Sequence, residues 1–168
     1  PMQVRQYELE HLFLPDTELP PCPPYRSPYP GKLWDRDSWV RSKPHRAAPI
    51  EPGARLYSRE LAGVLHDPAL AEAADEDVYA IEAHYLLRYL EFTLWVEQYP
   101  VNEVARHLAD PTFLPWTPEQ LRHDAHRIYV DEGAHSEFTY GLLRRVENAT
   151  GLRSTGVPLA TREWLERE

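Results

Sequence analysis

Proline placement constrains this chain more than any other feature. Of its 17 prolines, ten fall between Pro15 and Pro52. Proline has no backbone N–H and pushes the residue before it out of helical geometry, so this stretch cannot form a regular helix or a central strand. It is not composed like a disordered linker either. Tyr25, Tyr29, Leu33, Trp34, Trp39 and Val40 lie in or near it, and segments that stay unfolded are poor in aromatic residues. The stretch therefore reads as an extended N-terminal arm, residues 1–55, that wraps a helical body of residues 56–168 and pins itself with aromatic side chains. A polyproline ligand through Pro20, Pro21, Pro23 and Pro24 is a weaker reading of the same residues.

After the arm the pattern turns helical. Tyr57 to Leu65 reads as a short helix stopped near Pro68. From Asp75 to Gln98, Val78, Ile81, Tyr85, Leu86, Tyr89, Leu90 and Leu94 recur at steps of three and four, the period of one helix face. Pro100 is expected to kink this helix rather than end it, because Val101 to Leu108 continues the pattern. Pro111 to Trp116 reads as a turn. Thr117-Pro118-Glu119-Gln120 then has the form of a capping box, with Thr at the N-cap and Pro at the first helical position. The helix that follows should run to about Asn148, with Gly151 as its left-handed cap. Thr161 should open a last helix through Trp164. Strand-like alternation is missing throughout, so the expected class is all-α.

Composition removes several functions. Eighteen Lys and Arg against 27 Asp and Glu give a net charge of −9, which is wrong for sequence-independent nucleic-acid binding. One cysteine, Cys22, cannot close an internal disulfide. No apolar run approaches the roughly 20 residues that cross a bilayer. The first residues lack a basic segment followed by an apolar one, and Pro1 before Met2 reads as the scar of a cleaved tag. A cytoplasmic protein is expected. Phosphate loops, nucleophile elbows and dinucleotide fingerprints are absent as well.

The chemistry concentrates on the long capped helix. In Asp131-Glu132-Gly133-Ala134-His135, Glu132 and His135 stand at i and i+3 and share a face. Carboxylate-bridged di-metal bundles use Glu-x-x-His pairs of this kind, together with glutamates from neighbouring helices. The preceding helix carries Glu91 and Glu97 inside the apolar run Tyr89-Leu90-Glu91-Phe92-Thr93-Leu94-Trp95-Val96-Glu97. Carboxylates are rarely buried unless paired or bound to metal. Glu97 shares a face with Leu90, Thr93 and Leu94, so it is the expected third ligand. Capping of the helix end, or an ion pair with Arg106, would be the alternatives. Thr93 and Tyr89, one and two turns before Glu97, are candidates to line a pocket, with a core position as the other reading of Tyr89. His123 and His126 fall out of register with His135 and are not expected to bind metal.

Over Tyr85 to Thr150 the sequence resembles the p-aminobenzoate N-oxygenase (AurF-type) non-haem di-iron proteins. The resemblance rests on Tyr89-x-Glu91-x5-Glu97 and on Val130-Asp131-Glu132-x-x-His135, with Glu132 following Glu97 by 35 positions. It implies a ferritin-like helical bundle, a dimer, two iron ions with manganese as the alternative metal, and O2 as co-substrate. The implied reaction converts a small-molecule amine to a hydroxylamine or nitro product. Carried over, Glu97 would be a terminal or bridging ligand, Glu132 a bridging ligand and His135 an imidazole ligand. Asp131 would stand behind them, accepting a hydrogen bond from a ligand histidine.

The chain departs from the family by carrying half of the ligand set, because no second Glu-x-x-His follows His135. It is thus expected to be a half-bundle. A longer chain of which this is a part, a complementary subunit, or a second copy would bring the remaining ligands. Two functional classes compete with N-oxygenation. One is a metal-free helical scaffold that uses the arm for binding. The other keeps the di-iron centre but performs C–H hydroxylation or desaturation.

Overall fold

The computed structural model describes residues 24–29, 33–38, 40, 47–51, 53–113 and 116–165. Cys22, Trp39 and the prolines at 20, 21 and 23 lie outside these residues, so the polyproline reading does too. Every regular element among the described residues is helical. A one-turn helix, α1, covers Leu33–Asp37. Two 3-10 turns, Gly63–His66 and Pro68–Leu70, precede the long helix α2, Asp75–Val96. A π turn, Glu97–Val101, joins α2 to α3, Asn102–Ala109. Helix α4, Glu119–Thr150, has 32 residues, and α5 spans Leu159–Leu165.

Each boundary has a local cause. Asp75, Glu76 and Asp77 fill the first turn of α2, where negative charge complements the helix dipole. In an α-helix the Pro100 ring would press on the carbonyl four residues earlier. The backbone widens instead, and the Asn102 N–H reaches back to the Glu97 carbonyl. Pro100 is therefore absorbed as a π turn, and the helical path continues into α3. At its other end α4 closes on Gly151, whose φ of 73° is left-handed and whose N–H bonds to the Glu147 carbonyl.

Two sequence expectations fail. Tyr57 to Leu65 forms turns and a 3-10 segment rather than a helix. The capping box does not form either. Helix α4 begins at Glu119 with Pro118 at the N-cap position and no side-chain cap, while Thr117 is buried. With Pro118 at the N-cap, that position carries no side-chain acceptor, and Thr117 stands one residue too early to cap the first turn.

The core is the seam between α2 and α4. Leu87 and Leu90 meet Leu143 and Val146, with Ile50, Leu56, Leu86, Leu142 and Leu152 around them. Removing a leucine of this size from water contributes about 2 kcal/mol. Further along, Glu97 lies beside His135 and Glu132, which come before Leu143 on α4, so the two helices run antiparallel. Helix α3 also packs on α4.

Two N-terminal segments dock on α4 by polar anchors. Tyr25 donates its hydroxyl to Asp124 at 3.0 Å, and the Trp34 indole N–H donates to Asp131 at 2.9 Å. Arg127 lies between these anchors. It bonds to Asp124 at 2.9 Å and sets its guanidinium 5.4 Å from the Trp34 ring. Asp124 is 1% exposed. Burial pushes its carboxyl pKa up, but hydrogen bonds from Ser27, Tyr25, Arg127 and Gln120 outweigh this and hold it below the usual value. A depressed carboxyl pKa contributes stability above the unfolded value and loses it as pH falls. Asp124→Ala should therefore destabilise the fold by about 3 kcal/mol at pH 7, the cost of stranding a buried cation. The difference from wild type should shrink below pH 4 in urea titrations, as the wild-type carboxyl protonates.

Candidate metal centre

The antiparallel register brings the end of α2 beside the middle of α4. There Glu97, Glu132 and His135 each present one ligand atom, and the three atoms lie within 4.8 Å of one another. His135 Nδ1 is 3.2 Å from a Glu132 carboxylate oxygen and 4.0 Å from Glu97 Oε1. Neighbouring donors on one first-row cation stand roughly 3 Å apart and opposed donors roughly 4 Å, given bonds of about 2.1 Å. The cluster is thus close to coordination spacing. Glu97 Oε2 is buried and has no hydrogen-bond partner. A carboxylate oxygen in that condition fits a cation. Carboxylate and imidazole together suit iron, manganese or zinc better than softer-ligand metals.

The electrostatics agree with the geometry. Burial raises the Glu97 pKa, repulsion from Glu132 raises it further, and His135 opposes both in part. Glu97 binds a proton more readily folded than unfolded. Its contribution is therefore favourable below the ordinary glutamate pKa and becomes a cost as pH rises through the folded value. A bound divalent cation would remove that cost.

Exposure sets the direction in which the cluster opens. The Glu97 and Glu132 side chains are 16% and 20% exposed, whereas His135 is 44% exposed. Access is from the imidazole side. Nδ1 is the ring nitrogen beside the carboxylates, so a cation held there leaves the ring proton on Nε2.

The remaining candidates separate. Thr93 is half-buried one turn before Glu97. Tyr89 is 56% exposed, which excludes the core position for it. Asp131 accepts from Trp34, an N-terminal residue, so one of its oxygens serves as an anchor for that segment. Arg106 pairs with Glu103 at 2.8 Å rather than with Glu97. His123 and His126 are exposed.

Glu91, the other carboxylate in the apolar run, has a different task. It is 5% exposed and accepts from Ser154 Oγ, the Gly156 N–H at 2.8 Å and Arg88 at 3.1 Å. Glu147, 3% exposed, accepts from the Ser154 N–H and Arg144. These two glutamates clasp the segment after α4 against the helix pair. Burial opposes ionisation of Glu91, yet the hydrogen bonds from Ser154, Gly156 and Thr155 and the charge of Arg88 bring its pKa below normal. Sequence reading missed this clasp, and the buried Asp124, because Ser154 and Gly156 lie far along the chain from Glu91, as Tyr25 and Ser27 do from Asp124.

Among the described residues no helix is long and apolar enough to cross a membrane. Comparison with protein-family models, curated proteins and solved structures finds no match for this chain.

Glu91 and Glu97 should respond oppositely to neutralisation. In metal-free protein at pH 7, Glu91→Gln should lower stability by about 2 kcal/mol through its unmet donors. Glu97→Gln should raise the melting temperature, with the gain fading as pH falls into the carboxylate range. Thermal unfolding of both variants against pH checks the pair of signs.

Proposed function

We propose that this chain is half of a non-haem di-iron oxygenase of the AurF type, acting on a small-molecule amine. The observation that carries the reading is the meeting of Glu97, Glu132 and His135 around a buried carboxylate oxygen that lacks a partner. These are the residues whose order and 35-position spacing resemble the family. The antiparallel α2–α4 pair supports a ferritin-like half-bundle, because such sites are built from inward-facing Glu and Glu-x-x-His on adjacent helices. The contacts of Tyr25 and Trp34 on α4 support a wrapping N-terminal arm.

Each residue has a defined task in this reading. Glu97 and Glu132 hold the metal and compensate its charge. His135 supplies the neutral donor through Nδ1 and keeps its proton on Nε2. Iron, when bound, supplies the redox chemistry that activates O2 toward the amine nitrogen. Thr93, one turn before Glu97, would border the substrate on the α2 side, with Tyr89 a turn further out. Trp34 fixes Asp131 and so steadies the turn of α4 that carries Glu132.

The reading predicts selective loss of metal. After anaerobic loading with ferrous iron and desalting, Glu132→Ala and His135→Ala should retain almost no iron. His123→Ala, on the same helix, should retain as much as wild type. Elemental analysis of the three proteins measures this, and equal iron in all three would refute the assignment.

A further inference from the structure

We propose that the cavity beside the Glu91–Glu147 clasp binds a planar heteroaromatic ring carrying a phosphate monoester, the chemistry of a mononucleotide or of flavin mononucleotide. The site is separate from the metal cluster and does not depend on it. The cavity measures about 430 Å³, within the range of small-ligand sites. Helix α2, helix α4 and the segment leading into α5 form its walls, and none of Glu97, Glu132 and His135 lines it. On α2 the lining residues Glu91, Trp95 and Gln98 make one stripe, roughly 100° or more around the helix from Glu97.

The walls supply stacking surface. Trp95 and Tyr99 lean on each other along α2, with ring centroids 6.1 Å apart and planes inclined by 30°. Tyr140 lines the same cavity from α4. Tyr99 is 61% exposed and Tyr140 51%, so each keeps open surface for a flat ring. Stacking of this kind accepts any heteroaromatic face.

Arginines supply the charge. Arg162 donates through Nε to the Val157 carbonyl at 3.0 Å, which sets its guanidinium beside Gly156. Its two terminal nitrogens make no ion pair with any described residue. Arg144 gives only Nη1 to Glu147. Glu91 and Glu147 also line the cavity, but Arg88 and Arg144 already match their charges. Arg153 and Arg162 bond only to backbone carbonyls. The clasp thus sets four guanidiniums, Arg88, Arg144, Arg153 and Arg162, against two carboxylates. A phosphate monoester, with nearly two negative charges at pH 7, matches that surplus better than a singly charged carboxylate. Guanidinium forks also suit phosphate oxygens in geometry. Side-chain donors of this kind need no glycine-rich loop, so the absence of such a loop from the sequence leaves this chemistry open.

The test is isothermal titration calorimetry of the full chain with AMP, flavin mononucleotide, adenosine and inorganic phosphate. A chelator is present throughout, so that the cluster at Glu97 contributes nothing. The expected result is one site per chain for AMP or flavin mononucleotide, at least roughly tenfold tighter than adenosine or phosphate alone. The tighter of the two ligands identifies the source. Arg162→Ala and Tyr140→Ala should each weaken binding by roughly tenfold while keeping the helical circular dichroism of wild type, because both residues are exposed. Absence of binding by both AMP and flavin mononucleotide would overturn the proposal. Adenosine binding as tightly as AMP would remove the arginines from it, and phosphate binding as tightly would remove the aromatic wall; either overturns it. Full affinity in both folded variants would place the ligand elsewhere and overturn it too.

Discussion

The packing of α2 against α4 fixes everything else in this structure. Leu87 and Leu90 interlock with Leu143 and Val146, and that contact sets an antiparallel register along both helices. Helices are stiff, so a register fixed at one end is transmitted to the other. Two turns beyond Leu90, the seam delivers Glu97 to the level of Glu132 and His135. Without it, a carboxylate and a Glu-x-x-His pair 35 positions apart have no reason to meet. The π turn at Glu97 adds a local adjustment. It absorbs Pro100 without ending the helical path, and π turns recur where helices carry function.

Buried carboxylates then divide by how they are satisfied. Asp124 collects donors from two N-terminal residues and from its own helix. Glu91 and Glu147 collect donors from Ser154 and Gly156 and from arginines one turn before each. Glu82, 2% exposed, lies 3.5 Å from both Arg55 and Arg59. Each of these groups tethers a segment to the helix pair. Glu97 differs because one of its oxygens is buried with no donor, and its nearest charged neighbours are another carboxylate and an imidazole.

Helix periodicity made α2, α3 and α4 legible in the sequence, and Gly151 marked the end of α4 because only a left-handed residue fits there. The candidate site was legible for a related reason: i and i+3 positions share a helix face whatever the fold. Local signals failed where a tertiary contact decided. Thr117 had the right neighbours for a cap, yet the helix starts after Pro118. Tyr57 to Leu65 had enough apolar residues for a helix, but Tyr57 stacks on Tyr85 at 5.6 Å and Ala62 is fully buried, contacts that turns and a 3-10 segment satisfy. The clasp of Glu91 and Glu147 on Ser154 was invisible because the partner of Glu91 lies 63 positions away.

The central claim is that Glu97, Glu132 and His135 together hold a metal ion. Its most direct test is a crystal structure of protein loaded with ferrous iron, with data collected on both sides of the iron absorption edge. The account predicts an anomalous difference peak lying between His135 Nδ1 and the two carboxylates. A well-ordered crystal with those three side chains visible, and no peak among them, would contradict it.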